Sequence, residues 1–293
     1  MSTRISESHR YGNILELRDS PQLIDAMRAV AAGELEHFRQ VTPRLKIYTK
    51  DQAAFTCAGV AVLLTYINAP FTAGVLRSAL VGAHLCSDGR AGAMIAAMRR
   101  NGDLYPSPHS QAKGRAVELA VSGELEQFLR SRMRVEIEAM AAVSFIARAS
   151  LPFLDDDPQI ITRAIIHAGS QLFAALEQFG ANSNVANFFA QRDFGILLLA
   201  QMILGSENSL REEAFPFSLS DAAKRLSISR SHVRKLVTDA QDAGYVEWRP
   251  AERKMRLQKV FISALIDHYA IRFVLLAEAL AQDPRFASTP LIR

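Results

Sequence analysis

Apolar residues recur at helical spacing along most of this chain and alternate with polar ones only in short runs. From Pro21 the run PQLIDAMRAVAAGELEHFRQ has the spacing of an amphipathic helix. A more apolar helix is predicted at about Asp51–Ile67, ended by Asn68, Ala69 and Pro70. Short helices follow over Phe71–Leu80 and Ser87–Asn101, the second closing at Gly102. Asp103–Leu119 reads as irregular with short extended pieces, and a long helix is expected from about Gly123 to Ala149. LPFLDDDP then breaks the chain at Pro152 and Pro158, the sharpest boundary in the sequence. Helical spacing resumes over 158–179 and through the apolar run Ile196–Leu204. It returns over 260–282, where Phe261, Leu265, Tyr269, Phe273, Leu276 and Leu280 lie on a broad stripe. Residues 1–20 are polar, with Arg4, Arg10 and Arg18. They read as a loosely ordered arm, with a DNA-contacting extension as the alternative.

The stretch Phe217–Leu257 carries the densest local signals. Ser218 can cap a helix whose inner face is Leu219, Ala222, Ala223 and Leu226, with Asp221 at the capping-box position. Ser227, Ile228 and Ser229 form a turn, and Ser229 caps a second helix. Val233, Leu236, Val237 and Ala240 give that helix one buried stripe, while Arg230, Ser231, His232, Arg234 and Lys235 fall mostly outside it. Gly244 stops the helix. Tyr245–Trp248 and Lys254–Leu257 then predict a hairpin with Arg249, Glu252, Arg253 and Lys254 at its tip and Arg256 on its second strand. This is the pattern of a winged helix-turn-helix, whose second helix enters the major groove by its N-terminal end.

RSHVRKLVTDAQDAGYVEWRP, followed by Glu252 and Arg253, resembles the DNA-binding core of MarR-type regulators. That family carries an Arg-Ser-x-Val-x-x-Leu-Val recognition helix, a Gly-Leu/Tyr-Val break and an acidic-Arg wing. His232 stands where Thr is common and Glu252 where the wing usually has Asp, so base preference does not carry over. The resemblance implies double-stranded DNA as partner. It also implies a small-molecule effector, held in a crevice between interface helices and winged core. Phe173, Phe179, Phe188, Phe189 and Phe194 are candidates to line such a crevice, with plain core as the competing reading.

The chain also repeats itself. Pro158-Gln159 follows Pro21-Gln22 by 137 residues, Phe194 follows Phe55 by 139, Gly244 follows Gly102 by 142, and Glu278-Ala279 follows Glu138-Ala139 by 140. Near-constant offsets of this kind predict an internal duplication. The expected organisation is an arm at 1–20, a first MarR-like repeat at 21–150, a linker at 151–158, a second repeat at 159–283 and a tail at 284–293. The expected fold is mainly α: two tandem winged helix-turn-helix units with small β-wings. The long helices at 21–40, 123–149, 158–179 and 260–282 would form a shared interface, making an intrachain pseudo-dimer. Pairing of two chains would present four winged helices.

Charge sharpens this picture. The whole chain carries only +4, but Pro216–Val260 holds ten Lys and Arg against five Asp and Glu, the footprint of a phosphate-backbone binder. The first half is the poorer reader. Its recognition helix would start at Ser87-Asp88-Gly89-Arg90-Ala91-Gly92, where the two glycines weaken helix nucleation and Asp88 repels phosphate. Ser87 and Arg90 are its candidate contacts on the helix, and Lys113 and Arg115 those on its wing.

Other chemistry finds little footing. Cys57 and Cys86 suit a reducing cytoplasm; Cys86, just before a helix, is a redox candidate set against a buried small hydrophobe. Asp155–Asp157 reads as a solvated linker and helix start rather than a metal site. The seven histidines show no ligand spacing, and no nucleophile elbow or phosphate loop is present. No segment has the ~18 uninterrupted apolar residues of a membrane helix, and the N-terminus lacks the apolar core of a secretory signal. A cytoplasmic regulator without catalytic residues, cofactor or metal is the expectation. A tandem winged-helix scaffold for protein contacts is the alternative.

Overall fold

A computed structural model describes residues 7–67, 71–82, 86–108, 110, 114–178, 188–206, 210 and 213–292. The chain forms two compact units, Gln40–Arg132 and a discontinuous one made of Met1–Arg39 with Met133–Arg293. This division differs from the expected boundary at 151–158. The reason is that the helix at 22–40 and the residues from 133 onward bury their apolar faces in one core with residues of the second half.

In the discontinuous unit, α1 (Glu7–Asp19) and α2 (Gln22–Gln40) precede the end of α7 (Gly123–Met140), α8 (Phe145–Ser150), α9 (Gln159–Gln178) and α10 (Gly195–Gly205). Then come β4 (Phe215–Pro216), α11 (Leu219–Leu226), α12 (Arg230–Asp242), β5 (Val246–Arg249), β6 (Lys254–Leu257) and α13 (Lys259–Leu280). The central helix α13 packs against α9, α1 and α8. It has the length and mean hydropathy (1.7) of a membrane-crossing helix; here Phe261, Leu265, Phe273 and Leu276 are taken up by the core. Close helix approach is built in at Gly33 of α2, where a Cβ would lie 2.2 Å from Val135 Cγ1.

Unit Gln40–Arg132 holds α3 (Lys46–Lys50), α4 (Gln52–Ile67), β1 (Phe71–Thr72), α5 (Ala73–Gly82), α6 (Asp88–Arg100), β2 (Leu104–Pro106), β3 (Glu118–Val121) and the start of α7. Its antiparallel sheet runs β1-β3-β2, with Phe71 opposite Leu119 and Leu104 opposite Val121. The sheet of the other unit runs β4-β6-β5, with Phe215 opposite Met255 and Val246 opposite Leu257.

Three expectations are corrected. Residues 7–19 of the arm are a helix, because Ile14 and Leu17 are buried and the arginines on either side pair with α13. Arg10 grips buried Glu278 through Nε at 2.9 Å and an Nη at 2.7 Å, and Arg18 meets Asp267 at 3.1 Å. The helix expected over 123–149 breaks after Met140, where Ser144 caps α8 by accepting from the Ala147 N–H. The tail is docked: Phe286 and Ile292 are buried, and Ser144 Oγ donates to the Leu291 carbonyl. The linker aspartates are likewise engaged, Asp155 with Arg134 and Asp157 with Arg163 and Arg285. Asp157 also accepts from the Gln159 N–H, the helix-start role expected of it.

Candidate nucleic-acid interface

Over 217–257 the local signals produce the elements they predict. Ser218 Oγ accepts from the Asp221 N–H at 3.2 Å, and Leu219, Ala222, Ala223 and Leu226 are buried. Ser227 turns the chain at φ 55. Ser229 Oγ accepts from the His232 N–H at 3.1 Å, which caps α12; such a cap contributes about 1 kcal/mol. Val233, Leu236, Val237 and Ala240 face inward, leaving Arg230, Ser231, Arg234 and Lys235 exposed. Gly244 at φ 75 ends the helix and sends the chain into β5.

Ionic partners divide these side chains into two groups. Arg230 and Arg234 on α12, and Arg253 at the hairpin tip, have no ion pair among the described residues. The other expected contacts are engaged within the protein. Lys235 meets Asp239 at 3.0 Å, Arg249 meets Glu247 at 2.7 Å, Arg256 meets Glu247 at 2.5 Å and Lys254 meets Glu252 at 3.9 Å. Hydrogen bonding from Arg249 holds the Glu247 carboxyl below its usual range, so the wing keeps a fixed negative charge. Exposed pairs of this kind are worth about 0–1 kcal/mol each, so a phosphate can displace them at small cost.

His232 is committed elsewhere. Its Nε2 lies 3.0 Å from the Asp193 carbonyl oxygen, and its ring meets Phe194 edge-on at 6.0 Å. It buttresses the helix instead of reaching outward. The segment that holds it is strained: Phe194 adopts φ 63, and a Cβ on Gly195 would sit 2.0 Å from the Phe189 carbonyl oxygen. Ser231 Oγ lies 2.9 Å from Ser229 Oγ. Sequence reasoning missed Lys224 and Arg225 on α11, exposed and without an ion pair among the described residues. Their position opposite the inner stripe of the first helix was the available signal.

The corresponding helix of the other unit is built alike and charged differently. α6 and α12 each span thirteen residues and start on a serine cap, Ser87 and Ser229. They end beside left-handed glycines, Gly102 at φ 78 and Gly244 at φ 75. Asp88, however, opens α6 where Arg230 opens α12, and it is paired with Arg77. Arg90 is drawn to Asp51 at 2.9 Å, whose carboxylate also accepts from the Ala53 N–H. Arg99 and Arg100 remain exposed at the far end of α6. Lys113 and the Arg115 side chain lie outside the described residues.

Burial pushes Cys57 up to about 12, with its Sγ 3.6 Å from Met98 Sδ, and burial also raises Cys86. Among the described residues no three His, Cys, Asp or Glu converge on a point. Phe189 is fully buried, and Phe188 and Phe194 are core-packed; the Phe173 side chain and Phe179 lie outside the described residues. No protein-family model, curated protein or solved structure matches this chain.

Proposed function

We propose that this chain is a sequence-specific duplex-DNA-binding regulator of MarR-like type, built as a tandem winged helix-turn-helix pair in which the 217–257 unit reads and the 71–121 unit supports. The observation that carries this reading is the contrast between α12 and α6. The two helices share length, cap and exit glycine. Yet α12 presents Arg230 and Arg234 unpaired among the described residues, whereas Arg77 and Asp51 occupy the charges at the start of α6. An unpaired arginine at the N-terminal turns of such a helix suits bidentate contact with guanine. Arg253, with Lys224 and Arg225, would neutralise backbone phosphates. The matching sheet orders, β1-β3-β2 and β4-β6-β5, support a duplicated ancestry for the pair. The test is fluorescence anisotropy on a mixed-sequence duplex as salt rises. About four phosphate contacts should cost roughly a hundred-fold in affinity between about 50 and 200 mM salt. No binding at the low-salt end would leave the alternative, a scaffold for protein contacts. Exposed Tyr105 on the β2 edge and the self-paired charges of α6 favour that role for the 71–121 unit alone.

A further inference from the structure

The attachment of α1 runs through to an imidazole on α9. Arg10 Nε lies 2.9 Å from the Glu278 carboxylate of α13, and one Arg10 Nη lies 2.7 Å from Glu278 and 2.6 Å from Gln171 Oε1 on α9. Gln171 Nε2 in turn lies 2.8 Å from Nε2 of His167, one helical turn earlier. Donor counting fixes the protons along this path. A guanidinium donates hydrogen bonds and accepts none, so the Gln171 atom facing Arg10 is the oxygen. The amide nitrogen therefore donates to the imidazole, and His167 Nε2 accepts with its lone pair. The ring is thereby neutral, with its proton on Nδ1. A proton added at Nε2 would leave two donors facing each other. Turning the Gln171 amide over would only move that conflict to Arg10.

We propose that α1 is a proton-released latch: the Arg10–Gln171–His167 path holds only while His167 is neutral, so α1 loosens from α9 and α13 as the medium acidifies. His167 is half-buried, which leaves a proton a route to the ring. Burial holds that ring below the usual imidazole range, against the pull of Glu278 and with the push of Arg10. Arg163, one turn earlier on α9, is engaged with Asp157 and Asp283, and Arg18 of α1 with Asp267 of α13. His9 and His268 are the other imidazoles on these three helices. Once α1 leaves, the His167 imidazolium takes over from Arg10 as the counter-charge of buried Glu278. A free imidazole titrates near about 6.5 and the docked one lower. Docking is therefore at full strength above about pH 6.5 and is lost as pH falls through the docked value. By linkage, α1 weakens proton binding at His167 by the factor by which the proton weakens α1. The latch is independent of the DNA reading above.

Hydrogen exchange of the α1 amides in the full chain, read by mass spectrometry at about pH 7.5 and about pH 5 and corrected for the intrinsic effect of pH, tests the latch. Protection of residues 7–19 should fall by about ten-fold at the acid value in wild type. In His167→Gln, whose side-chain oxygen accepts from Gln171 but takes no proton, protection should hold at both values. His9→Gln and His268→Leu should keep the wild-type fall, which separates the latch from the other imidazoles. Nitrogen NMR of the wild-type rings, which needs no variant, should find His167 protonated on Nδ1 at about pH 7.5. Arg10→Met should raise the midpoint at which His167 titrates, because the Gln171 amide is then free to turn. If His167→Gln loses protection already at about pH 7.5, the Arg10→Met midpoint decides. A proton on Nε2, an equal fall in wild type and His167→Gln, or a midpoint unmoved by Arg10→Met overturns the proposal.

Discussion

Arg253 holds φ 52, a region that costs a non-glycine L-residue about 1 kcal/mol or more. Its backbone meanwhile closes the wing by accepting from Phe217. Arg253→Gly should therefore leave the melting temperature unchanged or raise it by a few degrees. The same change should weaken DNA binding in anisotropy, separating the turn's conformational demand from the cation's work. A drop in both would assign the side chain a structural role. Base reading should be concentrated at two other arginines. Arg230→Ala or Arg234→Ala should cost about 1–3 kcal/mol in specific over mixed-sequence binding. Arg90→Ala should cost little, since Arg90 is already held by Asp51. Comparable losses at all three positions would contradict the division of labour between the units.

At the scale of elements, α12 is positioned by a segment that carries none of the proposed DNA contacts. Phe194 in a left-handed conformation, and Gly195 with no room for a side chain, present the Asp193 carbonyl to His232. Gly195→Ala must move the Phe189 carbonyl, at a cost of about 1–3 kcal/mol. It should lower DNA affinity although residue 195 touches none of the proposed DNA contacts; parallel melting and anisotropy curves would show both effects. The α1 attachment makes a second case. Arg10→Ala leaves the Glu278 carboxylate buried without its guanidinium, which should destabilise the chain by about 3–5 kcal/mol, measured by urea unfolding. Arg10→Ala with Glu278→Leu should recover most of that loss. These contacts mark the limit of sequence reading. Caps, stripes and the exit glycine at 217–257 act within a few residues of one another, so the local pattern carried them. Arg10 and Glu278 are 268 positions apart, and Arg90 and Asp51 are 39 apart. No local pattern encodes such partners, so the arm looked unanchored and Arg90 looked available.

Across the whole molecule, the half-buried imidazole of His268 on α13 sets a pH dependence. Burial, aided by Arg272 and opposed by Glu136, lowers His268 from 6.5 to about 4, and its Nδ1 is buried without a partner. The unfolded chain therefore takes up a proton between those values that the folded chain refuses. Stability should rise with pH from about 4 to 6.5 and fall as pH drops through that window. His268→Leu should flatten this slope in urea midpoints measured at pH 5 and pH 7, while a slope unchanged in the variant would place its origin elsewhere. The helical nature of the chain and the rough positions of its helices were legible from periodicity. The partition into units was not, because the apolar faces of 22–40 and 133–150 do not state which helices will cover them.

The larger unit is interrupted by the smaller one, and that topology has a consequence during synthesis. Residues 40–132 leave the ribosome as one contiguous block with their own buried core, and they can settle while translation continues. Residues 7–39 emerge before that block yet must wait for α13, the helix that packs against α1 and neutralises Arg10. Throughout that interval α1 and α2 expose apolar surface. Chains arrested near residue 132 should therefore show a protease-resistant middle behind a protease-sensitive beginning. The order of maturation would run from the inserted block outward, the reverse of a simple N-to-C progression.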